Sequence, residues 1–116
     1  MSAADYIDLL RARADWIVRM HAALCHFDAV LSPTVHIVAP PTASIASDDA
    51  EFFRINALLL RNTSVINMLD GCALSLPCHS PDQLPAGLMV WSTAMQDDTV
   101  LDISLAIEAA LSRRER

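Results

Sequence analysis

The sequence predicts an α/β layer structure of three helices with a small mixed sheet, one strand plus an antiparallel pair. Apolar residues recur at helical spacing in three stretches, and between these lie three short apolar runs bounded by proline, glycine or aspartate. Composition adds a limit to that class. Hydrophobic residues make up 53% of the 116 and charged residues only 19%, against about 45–50% and about 25% in an average soluble domain. So few charges leave apolar surface to cover, and three strands make a small sheet for this many apolar residues. Residues 1–116 are therefore read as one unit, long enough to bury roughly 65% of its unfolded surface, whose sheet continues in residues outside this chain.

The first helix is expected to start behind Ser2, with Asp5 three positions on as a capping box in which Asp replaces Glu. Its stripe is Tyr6, Leu10, Ile17, Met20 and Leu24, and it runs to about His26. Asp28-Ala-Val-Leu-Ser-Pro33 is a short apolar run stopped by proline, which suits a buried strand. Residues 33 to 47 hold Pro33, Pro40 and Pro41 among Ser and Thr, and form an extended connection. Asp48 and Glu51 open a second helix with the face Phe52, Ile55 and Leu59, ending near Arg61 and Asn62. Thr63 to Leu69 fits no pattern clearly, and Asn67-Met-Leu-Asp-Gly71 reads as a turn. Cys72–Cys78 and Gly87–Ser92 read as adjacent buried strands, flanking a turn-rich stretch with Pro81, Asp82 and Pro85. Asp97 and Asp98 begin the last helix, Val100, Ile103, Ile107 and Leu111 form its stripe, and Arg113, Arg114 and Arg116 gather at its end, both charge groups matching the helix dipole.

Composition also removes function classes. No run of about 18 apolar residues exists to cross a bilayer, and Met1-Ser-Ala-Ala-Asp5 has no signal-peptide character, so a cytoplasmic protein is expected. Cys25, Cys72 and Cys78 are then reduced thiols. The net charge of −6 disfavours nucleic acid as a partner. All eight basic residues are arginines, which excludes a lysine base or Schiff base within this chain. Gly71 and Gly87 are the only glycines, so neither a phosphate-cradling loop nor a Gly-x-Ser-x-Gly elbow can be written.

The remaining constellations favour plain roles. Cys72 and Cys78 would sit at opposite ends of a strand, about 20 Å apart at ~3.3 Å per residue, too far to share a metal. Cys78 and His79, adjacent on a strand, point to opposite faces and make a poor nucleophile and base. The carboxylates Asp97, Asp98 and Asp102, or Asp48, Asp49 and Glu51, are explained by helix-start charge. Asn56, Asn62 and Asn67 lie in an apolar stretch where a buried amide needs partners, and capping or turn roles fit each. No metal site and no cofactor is expected.

Three stretches, in order, resemble the C-terminal region of the amidase signature family. Phe27-Asp28-Ala-Val-Leu-Ser32-Pro33-Thr34 is similar to its strand closing on Ser/Thr-Pro-Thr. Asn67-Met-Leu-Asp-Gly71-Cys-Ala-Leu-Ser75-Leu-Pro77 is similar to its Asn, Gly and proline-ended strand. Leu84-Pro85-Ala86-Gly87-Leu88, followed by Asp97-Asp98 through Leu111, resembles its Leu-Pro-x-Gly-Leu strand and closing helix. The resemblance spans roughly residues 5 to 111 and implies a fragment of the larger α/β/α fold, with hydrolysis of carboxamide C–N bonds as the parent activity. It also implies a Ser-Ser-Lys triad upstream of everything matched here. No residue of this chain corresponds to that triad, so no catalytic residue is assigned and the isolated chain is expected to be inactive. The region contributes strands and pocket wall in such enzymes, which makes Thr34, Asn67 and His79 the candidate residues near a small amide substrate.

Two functional expectations follow. One is the C-terminal piece of an amidase, arising from truncation, an internal start or a split gene, and completed by the missing N-terminal part. The other is a non-catalytic binding or assembly module that pairs with itself or with a complete amidase.

Overall fold

A computed structural model describes residues 1–114. In chain order it contains α1 (Ala3–Leu24), β1 (Val30–Pro33), a short 3-10 turn (Thr42–Ser44), α2 (Asp49–Leu69), β2 (Cys72–Pro77), β3 (Gly87–Ser92) and α3 (Asp97–Arg114).

The α/β class is as the sequence predicts. The strands are ordered β1-β3-β2, and both pairings are antiparallel, so the sheet is antiparallel rather than mixed. The reason is chain direction. β2 and β3 form the expected hairpin, and β1 lies on the other flank of β3 in the same direction as β2, with Val30 opposite Trp91 and Pro33 opposite Leu88.

β3 is thus central, and its alternating side chains serve two layers. Met89 and Trp91 face α1 and α2, packing with Ile66 and Leu69 and with the half-buried Trp16, Ile17, Met20 and Leu24. Val90 faces α3, packing with Leu76 and Val100 and with Ile103 and Ile107. Leu69 and Val90 are wholly buried, each contributing about 2 kcal/mol of transfer free energy.

The helix starts follow from their caps. Ser2 Oγ accepts from Asp5 N at 3.2 Å and Asp5 Oδ2 accepts from Ser2 N at 2.7 Å, which completes the capping box. Asp48 Oδ1 accepts from Ala50 N and Glu51 N at the start of α2. The expected stop near Asn62 is corrected, since α2 continues through Thr63–Leu69 and ends at Asp70 in the left-handed region (φ 54°). Thr63, Val65 and Ile66 are β-branched and poor helix formers, but burial of Ile66 and Leu69 against β3 outweighs that preference. α3 ends with Arg113 Nε donating to the Ala109 carbonyl at 3.1 Å. Arg116 and the Arg114 side chain, expected to join it, lie outside the described residues.

The helices are too long for the sheet. At 22 residues α1 spans about 33 Å, whereas the six residues of β3 span about 20 Å. Tyr6, Ile7, Leu9 and Leu10 overhang and stay about half exposed, as does Phe52 of α2, and Phe53 is 67% exposed. The result is a slab of 56 × 45 × 17 Å with a radius of gyration of 17.4 Å, against about 13 Å for a compact chain of this length. Its accessible area of 8330 Å² exceeds by about 2,000 Å² what a monomer of this mass presents.

Candidate functional site

The two ends of β3 differ in chemistry. At the Gly87 end, β1 and the connection after it (Pro33, Val35, His36, Val38) face the loop that joins β2 to β3 (Cys78, Pro85) across a cavity of about 490 Å³. That volume lies in the range of small-molecule pockets, about 300–1,000 Å³, and a largely apolar lining with few polar groups is usual there. Ser32, His36 and Cys78 are its polar lining residues, and the Ser32 Oγ is buried without a hydrogen-bond partner among the described residues.

A hydroxyl bridge stands beside this cavity. Thr34 N donates to Gly87 O at 2.9 Å, and Thr34 Oγ1 meets Ser75 Oγ at 2.6 Å, so the two flanking strands touch across the central one. Gly87 makes this possible. A Cβ there would stand 2.5 Å from Ser75 Oγ and 2.7 Å from Thr34 Oγ1. On the outer side of β1, Asn62 Nδ2 donates to the Pro33 carbonyl at 2.7 Å and ties α2 to this end of the sheet.

His79 closes the hairpin loop. Its Nδ1 lies 3.3 Å from both the amide nitrogen and the carbonyl oxygen of Ala86. The carbonyl already accepts from Cys78 N at 3.0 Å, so the consistent assignment has Nδ1 accepting from Ala86 N–H, with the ring proton on Nε2.

Thr34 and His79, two of the three candidate residues, therefore both lie at the Gly87 end, and neither is among the residues lining the cavity. Asn67 does not. It is exposed in the last turn of α2, where its carbonyl accepts from Asp70 N at 3.3 Å. That turn leads through Gly71 to the Ser92 end of β3, about 17 Å along the strand from Gly87. Sequence reasoning missed Ser75 and Gly87 as the partners of Thr34 and gave Asn62 a cap or turn role. The only local signal was an Asn within an apolar helix pattern.

Away from the cavity, Asp5 is held below its usual range by hydrogen bonds from Ser2 and Glu51 by the Arg54 guanidinium, which donates twice at 2.7 Å. Among the described residues no group of three or more His, Cys, Asp and Glu side chains converges as a metal site would require. Cys72 and Cys78 bracket β2 from opposite ends. No helix among the described residues is long and apolar enough to cross a membrane.

No family model matches the chain, and no solved structure does. Curated proteins do. The glutamyl-tRNA(Gln) amidotransferase A-type subunit from Salinispora arenicola is 31% identical over 84 residues, 72% of this chain and 16% of that protein. The corresponding protein from Sulfurisphaera tokodaii is 28% identical over 107 residues, 92% of this chain and 22% of the relative. The 2-amino-5-chloromuconic acid deaminase of Comamonas testosteroni is 29% identical over 87 residues, 74% of this chain and 19% of that enzyme. The matched stretch thus spans between 16% and 22% of these relatives' own length. These relatives act in carbon–nitrogen chemistry as amidase signature proteins, and the chain belongs to the amidase signature family.

Proposed function

We propose that this chain contributes scaffold and one pocket wall to an amidase-type enzyme acting on carboxamide C–N bonds, and that the nucleophile and base come from outside it. The observation that carries this reading is relationship without machinery. The chain matches amidase signature proteins over most of its length, yet it contains no lysine, and the groups around its cavity are a hydroxyl, an imidazole, the Cys78 thiol, whose hydrogen bond goes to the Ala86 carbonyl and not to a base, and apolar walls.

In this reading the Gly87 end is the substrate side. Ser32 and His36 offer hydrogen bonds that a neutral amide both accepts and donates, against an apolar wall that suits its substituent, with Thr34 next to that wall. His79 holds the loop that forms the far wall, and Asn67, at the other end of the sheet, finishes a helix. The working setting is cytoplasmic, and the partner is the rest of an amidase scaffold.

Titration of the labelled chain with benzamide, followed by amide chemical shifts, tests the placement. Shifts confined to Ser32, Thr34, His36 and Gly87 are expected. Shifts centred on Asn67, or none at millimolar benzamide, would contradict it.

A further inference from the structure

The two edges of the sheet are not equally protected. Thr34 N bonds Gly87 O and Cys78 N bonds Ala86 O, and antiparallel pairs alternate, so Gly87, Met89 and Trp91 bond to β1 while Leu88, Val90 and Ser92 bond to β2. The outward groups of β1 are then those of Leu31 and Pro33. Pro33 has no N–H, and Asn62 already occupies its carbonyl. β1 is a blocked edge.

β2 is an open one. Its outward residues are Ala73, Ser75 and Pro77; Pro77 at the strand's end has no N–H, while Ala73 and Ser75, both exposed, each present an N–H and C=O with no partner among the described residues. Natural edges are guarded by charges, prolines, bulges or covering segments, and Cys72–Pro77 contains no charged residue and carries its one proline at the end, beyond Ala73 and Ser75. Beside this edge α3 leaves a groove lined by Leu74, Leu76, Leu101 and Leu105, with Glu108 its one charged residue. Leu101 is 49% and Leu105 63% exposed. The Ser104 hydroxyl lines the same groove, 2% exposed and without a partner.

We propose that β2 pairs antiparallel with β2 of a second copy, joining two three-stranded sheets into one of six about a two-fold axis at Leu74. This goes beyond the function proposed above, and it leaves the Gly87 end and the exposed faces of α1 and α2 for the scaffold proposed there. The pairing is self-complementary. With Ala73 opposite Ser75 of the partner copy, both free amides of each chain find carbonyls, giving four main-chain hydrogen bonds. Leu74 then meets its own copy on the α3 face, and Leu101 and Leu105 of the two chains close over the seam. Isologous pairing of this kind is the commonest route to a symmetric dimer. Each partner of a standard dimer buries about 800 Å², which the surplus of about 2,000 Å² per chain over a compact monomer more than supplies.

Sedimentation equilibrium together with amide hydrogen exchange of the full chain tests the pairing. A dimer is expected whose Ala73 and Ser75 amides exchange at least tenfold more slowly at high than at low protein concentration, while Leu31 N–H stays unprotected at both. Ala73→Pro removes one outward N–H at an edge position that tolerates proline, and should weaken dimerisation at least tenfold while Trp91 fluorescence is unchanged. If that variant fails to fold, the exchange pattern of the parent chain still decides. A monomer at all concentrations, or a dimer with fast exchange at Ala73 and Ser75, would overturn the proposal; the latter would place the contact on the overhanging helices instead.

Discussion

Each end of β3 has a glycine beside it, and the two do opposite things. At the Ser92 end a Cβ on Gly71 would stand 2.5 Å from the Ser92 carbonyl oxygen and 3.1 Å from an Ile66 methyl, so close packing of main chain against main chain requires the glycine. At the other end the bare Gly87 leaves room for two hydroxyls to meet. One glycine closes the core, and the other opens a polar window next to a cavity. Stability and the candidate site are thereby separated along a single strand. The stable end can hold the fold while the other varies.

Substitutions at both ends should expose that asymmetry. Leu69→Ala empties the core at the Ser92 end and should cost about 3–5 kcal/mol, the upper part of the range for a wholly buried leucine, read as a lower midpoint in urea. Gly71→Ala drives a methyl against a main-chain carbonyl that cannot rotate away, and should cost about 2–3 kcal/mol by the same measure. Gly87→Ala meets only side-chain oxygens, which can turn aside. It should cost about 1 kcal/mol, the worth of one hydrogen bond, and abolish the Thr34–Ser75 contact without disturbing the Leu69 environment. If Gly87→Ala proved as costly as Gly71→Ala, the contrast between the ends would be wrong.

A smaller effect should appear in pH. The Asp5 carboxyl is depressed below 3.8, mainly by the Ser2 backbone hydrogen bond. A group with a lowered folded-state pKa contributes stability above its unfolded value and loses it as pH falls through the folded one. Fraying of the first turn of α1 should therefore set in only below the ordinary aspartate range, with the core signals of Trp91 unaffected. Amide shifts of Asp5 and Tyr6 during an acid titration check this.

The sequence is most informative where local chemistry decides and least where distant residues meet. The capping box at Ser2 and Asp5, the hairpin strands and the acidic start of α3 were all legible, because each depends on neighbours in the chain. The last two turns of α2 were not, since Thr63, Val65 and Ile66 disfavour a helix until Ile66 and Leu69 are buried under β3. Nor was the flank of β3 on which β1 lies. The Thr34–Ser75 bridge joins residues 41 positions apart and has no local signal at either. Thr34 and His79 were singled out through family resemblance, and the structure sets them at the same end of the sheet. Asn67 came from the same resemblance and lies at the other end, where helix termination explains it.

The proposal at stake is that this chain, kin to carbon–nitrogen enzymes, takes its nucleophile and base from outside itself. Ammonia release from benzamide and from glutamine by the purified chain tests it most directly. The account predicts release indistinguishable from buffer for the chain and for Thr34→Val and His79→Ala alike. Turnover above that background, lost in either variant, would contradict it.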